Sequence, residues 1–311
     1  MHVVMAETQT ITLPDGRTLS YGIYGDPAAS FTIFYFHGFP ASHHEAAVFE
    51  FCDAAHAKNI RIIASDRPGM GLSTFQPARA ITDWPADVLS LADHEVIRAD
   101  KFAVLGTSGG SPYVLACCAA IPDTRLKAAG IISGLYPVSL GLKGMLMEPR
   151  VLLWLAPWAT TLVEKVLDWN IGSPARDESH PDKLEKLMDD SMCQRPEPDK
   201  RAWEEDEGGL RKMLVASVRH ALQNGGAKGA AWEARLFGSP WGFELADVKM
   251  GEGKLVLWHA DKDVNSPLAM AEKAHALLQG SELRLGPGEA HMSLLLHKAQ
   301  EVLDTLKERA A

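Results

Sequence analysis

The chain is short of cysteine, and none of its 4 cysteines (Cys52, Cys117, Cys118, Cys193) shows the paired spacing of a metal site. They read as small core hydrophobes in a reducing compartment, which predicts a cytoplasmic protein without disulfides. Positive charge is also scarce: 31 Lys+Arg against 40 Asp+Glu give a formal net charge of -9, with no basic block. Such a chain repels phosphate backbones, so nucleic acid is not an expected partner. The N-terminus lacks a charged segment followed by a long apolar one, so no signal peptide is expected. The most apolar stretch, 131–163, is broken by Lys143, Glu148, Arg150 and three prolines, which argues against a membrane span. What the chain does have is 46 % apolar residues, enough for a large core that needs neither disulfide nor metal.

Apolar patterning divides the chain into three parts. Residues 8–13 and 18–24 alternate around Pro14-Asp15-Gly16-Arg17 and predict an opening hairpin. Continuous apolar runs follow at 31–36, 60–64, 102–105 and 128–132, separated by helical patterns at about 46–58, 84–98 and 112–120. Strand alternating with helix predicts a parallel sheet with helices on both faces. From 135 to 246 the alternation stops and helical spacing takes over, as at Leu210, Met213, Leu214, Val218 and Leu222. Strands at 254–259 and 281–285 then return, with helices at 267–279 and 292–307. The prediction is one α/β core, 1–134 and 247–311, interrupted by a helical insertion at 135–246.

Ser108 stands in Gly106-Thr107-Ser108-Gly109-Gly110, directly after the run Phe102 to Leu105 and before a helical pattern. Gly-x-Ser-x-Gly between strand and helix is the pattern of a nucleophile elbow. A serine hydroxyl needs a base within reach, most often a histidine oriented by a carboxylate. Of 12 histidines, His291 lies in a glycine-rich loop between the last strand and the last helix, where open α/β sheets carry their chemistry. Asp261 and Asp263 follow the preceding strand, and Glu289 is a third carboxylate. Asp263 is preferred because it lies further past the strand end, and Asp261 is expected to cap a turn. Ser, Asp, His is also the chain order of one class of such triads.

With these residues in place the chain resembles an α/β-hydrolase-fold protein with a cap. His37-Gly38-Phe39-Pro40 resembles that family's oxyanion loop, and Asp66 to Ser73 its Asp-x-x-Gly-x-Gly-x-Ser loop. Ala260-Asp261-Lys262-Asp263 resembles Gly-x-x-Asp with alanine for glycine, and Gly288-Glu289-Ala290-His291 resembles the usual Gly-x-x-His ending. The resemblance implies an α/β-hydrolase fold, a Ser108–His291–Asp263 triad, and an oxyanion hole from the backbone N–H groups of Phe39 and Gly109. It implies no cofactor and no metal. His37 is then a packing residue, and His43-His44-Glu45 the exposed start of a helix.

The implied reaction is hydrolysis of a hydrophobic carboxylic ester or lactone, with no partner beyond that small molecule. Epoxide hydrolases and haloalkane dehalogenases share His-Gly-Phe-Pro but use aspartate where this chain has Ser108, and none of the tyrosines (21, 24, 35, 113, 136) lies deep in the insertion. Carbon–carbon hydrolases and non-turnover receptors of the same scaffold remain alternatives. The acidic run 204–207 reads as a solvated helix face. The first part of the insertion is strongly apolar, and Phe39, Met145, Trp154, Trp158 and Met292 are expected to line the substrate pocket. Oligomeric state is left open.

Overall fold

The computed structural model describes residues 5–51, 55, 58–206 and 209–311, without the side chains of 50 and 51. Eight strands form one sheet in the order β1-β2-β4-β3-β5-β6-β7-β8. They are β1 Gln9–Thr12, β2 Thr18–Gly25, β3 Phe31–Phe36, β4 Ile60–Ser65, β5 Phe102–Thr107, β6 Leu126–Ile132, β7 Leu255–Ala260 and β8 Glu282–Gly286. The opening hairpin pairs Gln9 with Tyr21 through Thr12 with Thr18, and β2 runs antiparallel to β4. Every other neighbouring pair is parallel. The loops after β3 to β8 therefore all leave from one edge, and Phe39, Ser108, Asp263 and His291 each follow the end of one of these strands.

The apolar runs of the parallel strands are buried on both faces, as their lack of alternation requires. Phe34, Phe36, Phe102 and Val104 join one core cluster, whereas Ile33, Tyr35, Ala103 and Leu105 join the other. The first cluster is covered by helices α2 (Trp84–Asp93), α3 (Ser111–Ala120) and α11 (Leu268–Leu277), the second by α1 (Val48–Phe51) and the long α12 (His291–Ala310). Cys117 and Cys118 are buried in α3 and unpaired; Cys193 is exposed and unpaired, and Cys52 lies outside the described residues.

Between β6 and β7 the described residues contain no strand. Seven α-helices follow one another there: α4 Met147–Leu155, α5 Thr160–Leu167, α6 Ser173–Arg176, α7 Asp182–Ser191, α8 Glu197–Glu204, α9 Leu210–Leu222 and α10 Lys228–Gly238. The structure corrects two helix ends. The expected helix at 46–58 begins as a 3-10 turn over His43–Ala47, and 52–54 and 56–57 lie outside the described residues. The helix expected to reach 98 stops at Asp93, because His94 turns to φ -59, ψ 139 and its N–H closes on Leu91 O. No helix among the described residues is long and apolar enough to cross a membrane.

Candidate active site

Ser108 follows β5 with φ 51, a left-handed conformation that a non-glycine side chain rarely adopts. The turn is possible because Gly106 and Gly110 carry no side chain. A Cβ on Gly110 would sit 2.1 Å from Phe36 O, and one on Gly106 2.7 Å from Val114 Cγ2 and 2.9 Å from the Gly110 backbone. Strand and helix thus cross at backbone contact, which leaves the Ser108 hydroxyl at the tip of the turn at the start of α3.

The imidazole and carboxylate come from the neighbouring strand ends. His291 Nδ1 donates to Asp263 Oδ2 at 2.7 Å, both side chains buried. Asp263 Oδ1 accepts from the backbone N–H of Asn265 and Ser266, each at 2.8 Å, which fixes the carboxylate. Burial pushes the Asp263 carboxyl up, but the adjacent His291 outweighs it and the pKa lies below the usual carboxylate range. For His291 burial favours the neutral form, and the Asp263 charge more than reverses this, so its pKa is raised above 6.5. With Nδ1–H committed to Asp263, Nε2 is the ring's accepting atom.

Ser108 and His291 hang from the same short segment after β6. Leu135 N donates to Ser108 O at 3.2 Å, and Ser133 Oγ donates to His291 O at 3.1 Å. Ser111 Oγ bridges Ser108 O at 2.7 Å and Leu135 O at 2.5 Å. Ser108 Oγ itself makes no hydrogen bond to His291 in this conformation; such bonds are often long before substrate binds. The other carboxylates take different roles. Asp261 accepts from Gly288 N at 2.9 Å and so ties the two loops together, while Glu289 pairs with His297.

The loop after β3 is held by groups that the sequence did not mark. Glu45 is buried and its Oε1 accepts from Gly38 N at 2.8 Å and from Tyr35 OH at 2.6 Å. Burial raises its carboxyl. Arg67 donates to His37 O at 2.6 Å and Gly38 O at 2.9 Å, and its other edge pairs with Glu233 of α10. Glu233 also accepts from Arg79 at 3.2 Å and Tyr113 OH at 2.9 Å. His37, pushed down to about 3 by burial and then by Arg67, is neutral and packs as expected. Two residues on, Phe39 abuts the elbow: a Cβ on Gly109 would lie 2.9 Å from Phe39 Cβ. Phe237 of α10 closes on the Phe39 ring edge-on at 5.6 Å.

Asp199, from α8, is a further residue that the sequence left unmarked. It is buried, and Oδ1 accepts from Met292 N at 2.9 Å and Ser293 N at 3.0 Å, capping the helix whose first residue is His291. No local spacing could have found it, because it lies 93 residues away from Met292.

Two expectations need correction. His43-His44-Glu45 is not an exposed helix start: His43 and Glu45 are buried, and His44 packs against His43 and His220 of α9. Ring nitrogens of His43, His44 and His220 lie within 4.8 Å of one another, a grouping that could hold a metal ion. Two of the three rings are engaged, since His43 Nδ1 and His220 Nε2 bond to buried Asp66 at 2.9 and 3.3 Å, whereas His44 Nδ1 is buried without a hydrogen-bond partner. The pocket expectation also changes. Met145 is buried and Phe39 and Met292 half-buried, but Trp154 and Trp158 are 70 % and 84 % exposed and face solvent rather than a cavity. The inward residues of α4 and α5 that share a cluster with Phe39 are Leu152, Leu153, Leu155, Val163 and Leu167.

A sequence profile described as Alpha/beta hydrolase family matches residues 33–305. The chain belongs to the alpha/beta hydrolase family. This hydrolase-family chain matches no curated protein by sequence. Among solved structures it is similar to an esterase from Thermogutta terrifontis, with malate bound, at 16 % identity and TM-score 0.65, covering 98 % of this chain and 100 % of that one. An enol-lactonase from Burkholderia xenovorans LB400 is similar at 16 % identity and TM-score 0.65, covering 96 % and 100 %. An esterase from Rhodococcus sp. ECU1013 is similar at 17 % identity and TM-score 0.65, covering 96 % and 98 %. At such identities the likeness concerns the fold.

Proposed function

We propose that this alpha/beta hydrolase-family chain is a serine hydrolase that cleaves a hydrophobic carboxylic ester or lactone through an acyl-enzyme on Ser108. The carrying observation is the buried His291–Asp263 bond of 2.7 Å, its imidazole backbone tethered to the same Ser133–Leu135 segment as the strained elbow. His291 Nε2 takes the Ser108 proton as Oγ attacks the carbonyl carbon, and then gives it to the departing alkoxide. Water attacks the acyl-enzyme, losing its proton to the same nitrogen, and the acid leaves with Ser108 restored. The developing oxyanion is held by the backbone N–H groups of Phe39 and Gly109, residues whose Cβ positions meet across the elbow. Glu45 occupies Gly38 N–H, which leaves the next N–H along, that of Phe39, for the substrate.

Residues 135–246 serve as a cap over the core 1–134 and 247–311. The apolar side chains meeting Phe39 from α4, α5 and α10 support a hydrophobic acyl or alcohol group. The serine at the elbow supports acyl transfer over epoxide opening. A panel of p-nitrophenyl esters of rising chain length, with lactones, tests the reading. Ser108→Ala should lower kcat by at least about 10³-fold with an unchanged circular dichroism spectrum, and a fluorophosphonate should label the wild type alone. Turnover that survives the substitution defeats the proposal.

A further inference from the structure

Large apolar side chains are exposed at eleven positions among the described residues, and seven of them fall within 147–169. On α4, Met147, Val151 and Trp154 stand four and three residues apart, the spacing of one helix face. On α5 and its continuation, Leu162, Val166 and Trp169 repeat that spacing. Trp158, at 84 % exposure, stands at the corner where the two stripes meet. The opposite faces of the same helices are apolar as well, with Leu152, Leu155 and Val163 turned inward toward Phe39 and α10. A helix that is apolar on both sides is one that is covered on both sides.

The magnitude and the charges point to the cover. The three tryptophans, 70 %, 84 % and 77 % exposed, and their four aliphatic neighbours leave on the order of 700 Å² of apolar surface in water. That exceeds the roughly 300–600 Å² of the largest patch on an ordinary monomer, and approaches the ~800 Å² each partner contributes to a stable interface. The patch is bordered by charges of both signs, Glu148, Arg150, Glu164 and Lys165, so a copy turned about a two-fold axis can set acid against base at the rim. An anionic lipid surface finds no basic rim here and meets a chain of net charge -9.

We propose that the outer face of α4 and α5 is the interface of a two-fold homodimer, with Trp158 at its centre. Each copy then clamps its partner's α4 and α5, the helices that, on the proposed function, roof the candidate active site.

Sedimentation velocity on the full chain from about 0.1 to 50 µM tests this. The expected result is a dimer that dissociates on dilution, with the tryptophan emission shifting to the red as the face becomes wet. Trp158→Glu and Leu162→Glu, both at exposed positions, should each raise the dissociation constant at least about 30-fold with an unchanged circular dichroism spectrum. The dilution series requires no variant and stands even if one fails to fold. A wild type that is monomeric at 50 µM overturns the proposal, as does a dimer that both substitutions leave intact. Co-sedimentation of a monomeric wild type with phosphatidylcholine vesicles also overturns it, since lipid would then be the occupant.

Discussion

Glu233 offers the sharpest test of how the helical segment is fastened to the core. Its side chain is fully buried between Arg67 and Arg79, and it is the carboxylate of α10 that holds Arg67, which in turn bonds to the His37 and Gly38 carbonyls. Burial alone would raise its pKa, but Arg67, reinforced by Arg79, holds it from the ordinary 4.5 down to about 2. A depression of that size corresponds to about 3 kcal/mol of folding stability. Because the folded-state pKa is the lower one, this stabilisation is fully present above pH 4.5 and is lost as pH falls toward 2. Breaking a buried pair by removing one partner costs on the same scale, about 3–5 kcal/mol. Glu233→Gln should therefore unfold in urea with ΔG lower by about 3 kcal/mol at pH 7, and the gap to wild type should shrink to about 1 kcal/mol at pH 3. The kcat of the variant should fall as well, because Arg67 then holds the His37 and Gly38 carbonyls without its own anchor. A gap that is the same at both pH values, or below about 0.5 kcal/mol at pH 7, would refute the electrostatic argument.

Asp263→Asn should keep the fold but lower kcat by roughly 10⁴-fold, since the amide stabilises the wrong tautomer of His291; esterase assays beside circular dichroism check both halves. The kcat/KM profile of the wild type should fall on its acid side through a pKa above 6.5, because a raised His291 must be neutral to act as base. In the Asp263→Asn variant the residual activity should show that limb displaced to lower pH. Gly110→Ala should cost at least about 3 kcal/mol or prevent folding, because its Cβ would be placed 2.1 Å from Phe36 O; thermal denaturation reads this directly, and a tolerated alanine would contradict the tight elbow.

Much of the core was legible in the sequence because its signals are local. Unbroken apolar runs marked strands covered on both faces, and glycines around Ser108 marked a turn with no room for side chains. The loops after parallel strands must share one edge, so strand ends, together with the Gly-x-Ser-x-Gly pattern and the chain order, nominated Ser108, Asp263 and His291. The strand order, the antiparallel placement of β2, and the convergence of distant groups were decided only by the tertiary structure. Glu45 was read as part of an exposed helix start, and Asp199 and Glu233 carried no local mark, yet each is buried, because the groups that bond to it come from other elements of the fold. His43 and His44 were misread for the same reason: α9 and Asp66 cover them. Trp154 and Trp158 erred the other way. An apolar residue on a helix is legible in sequence, but which way the helix turns it depends on what that helix packs against, and here α10 took the other face.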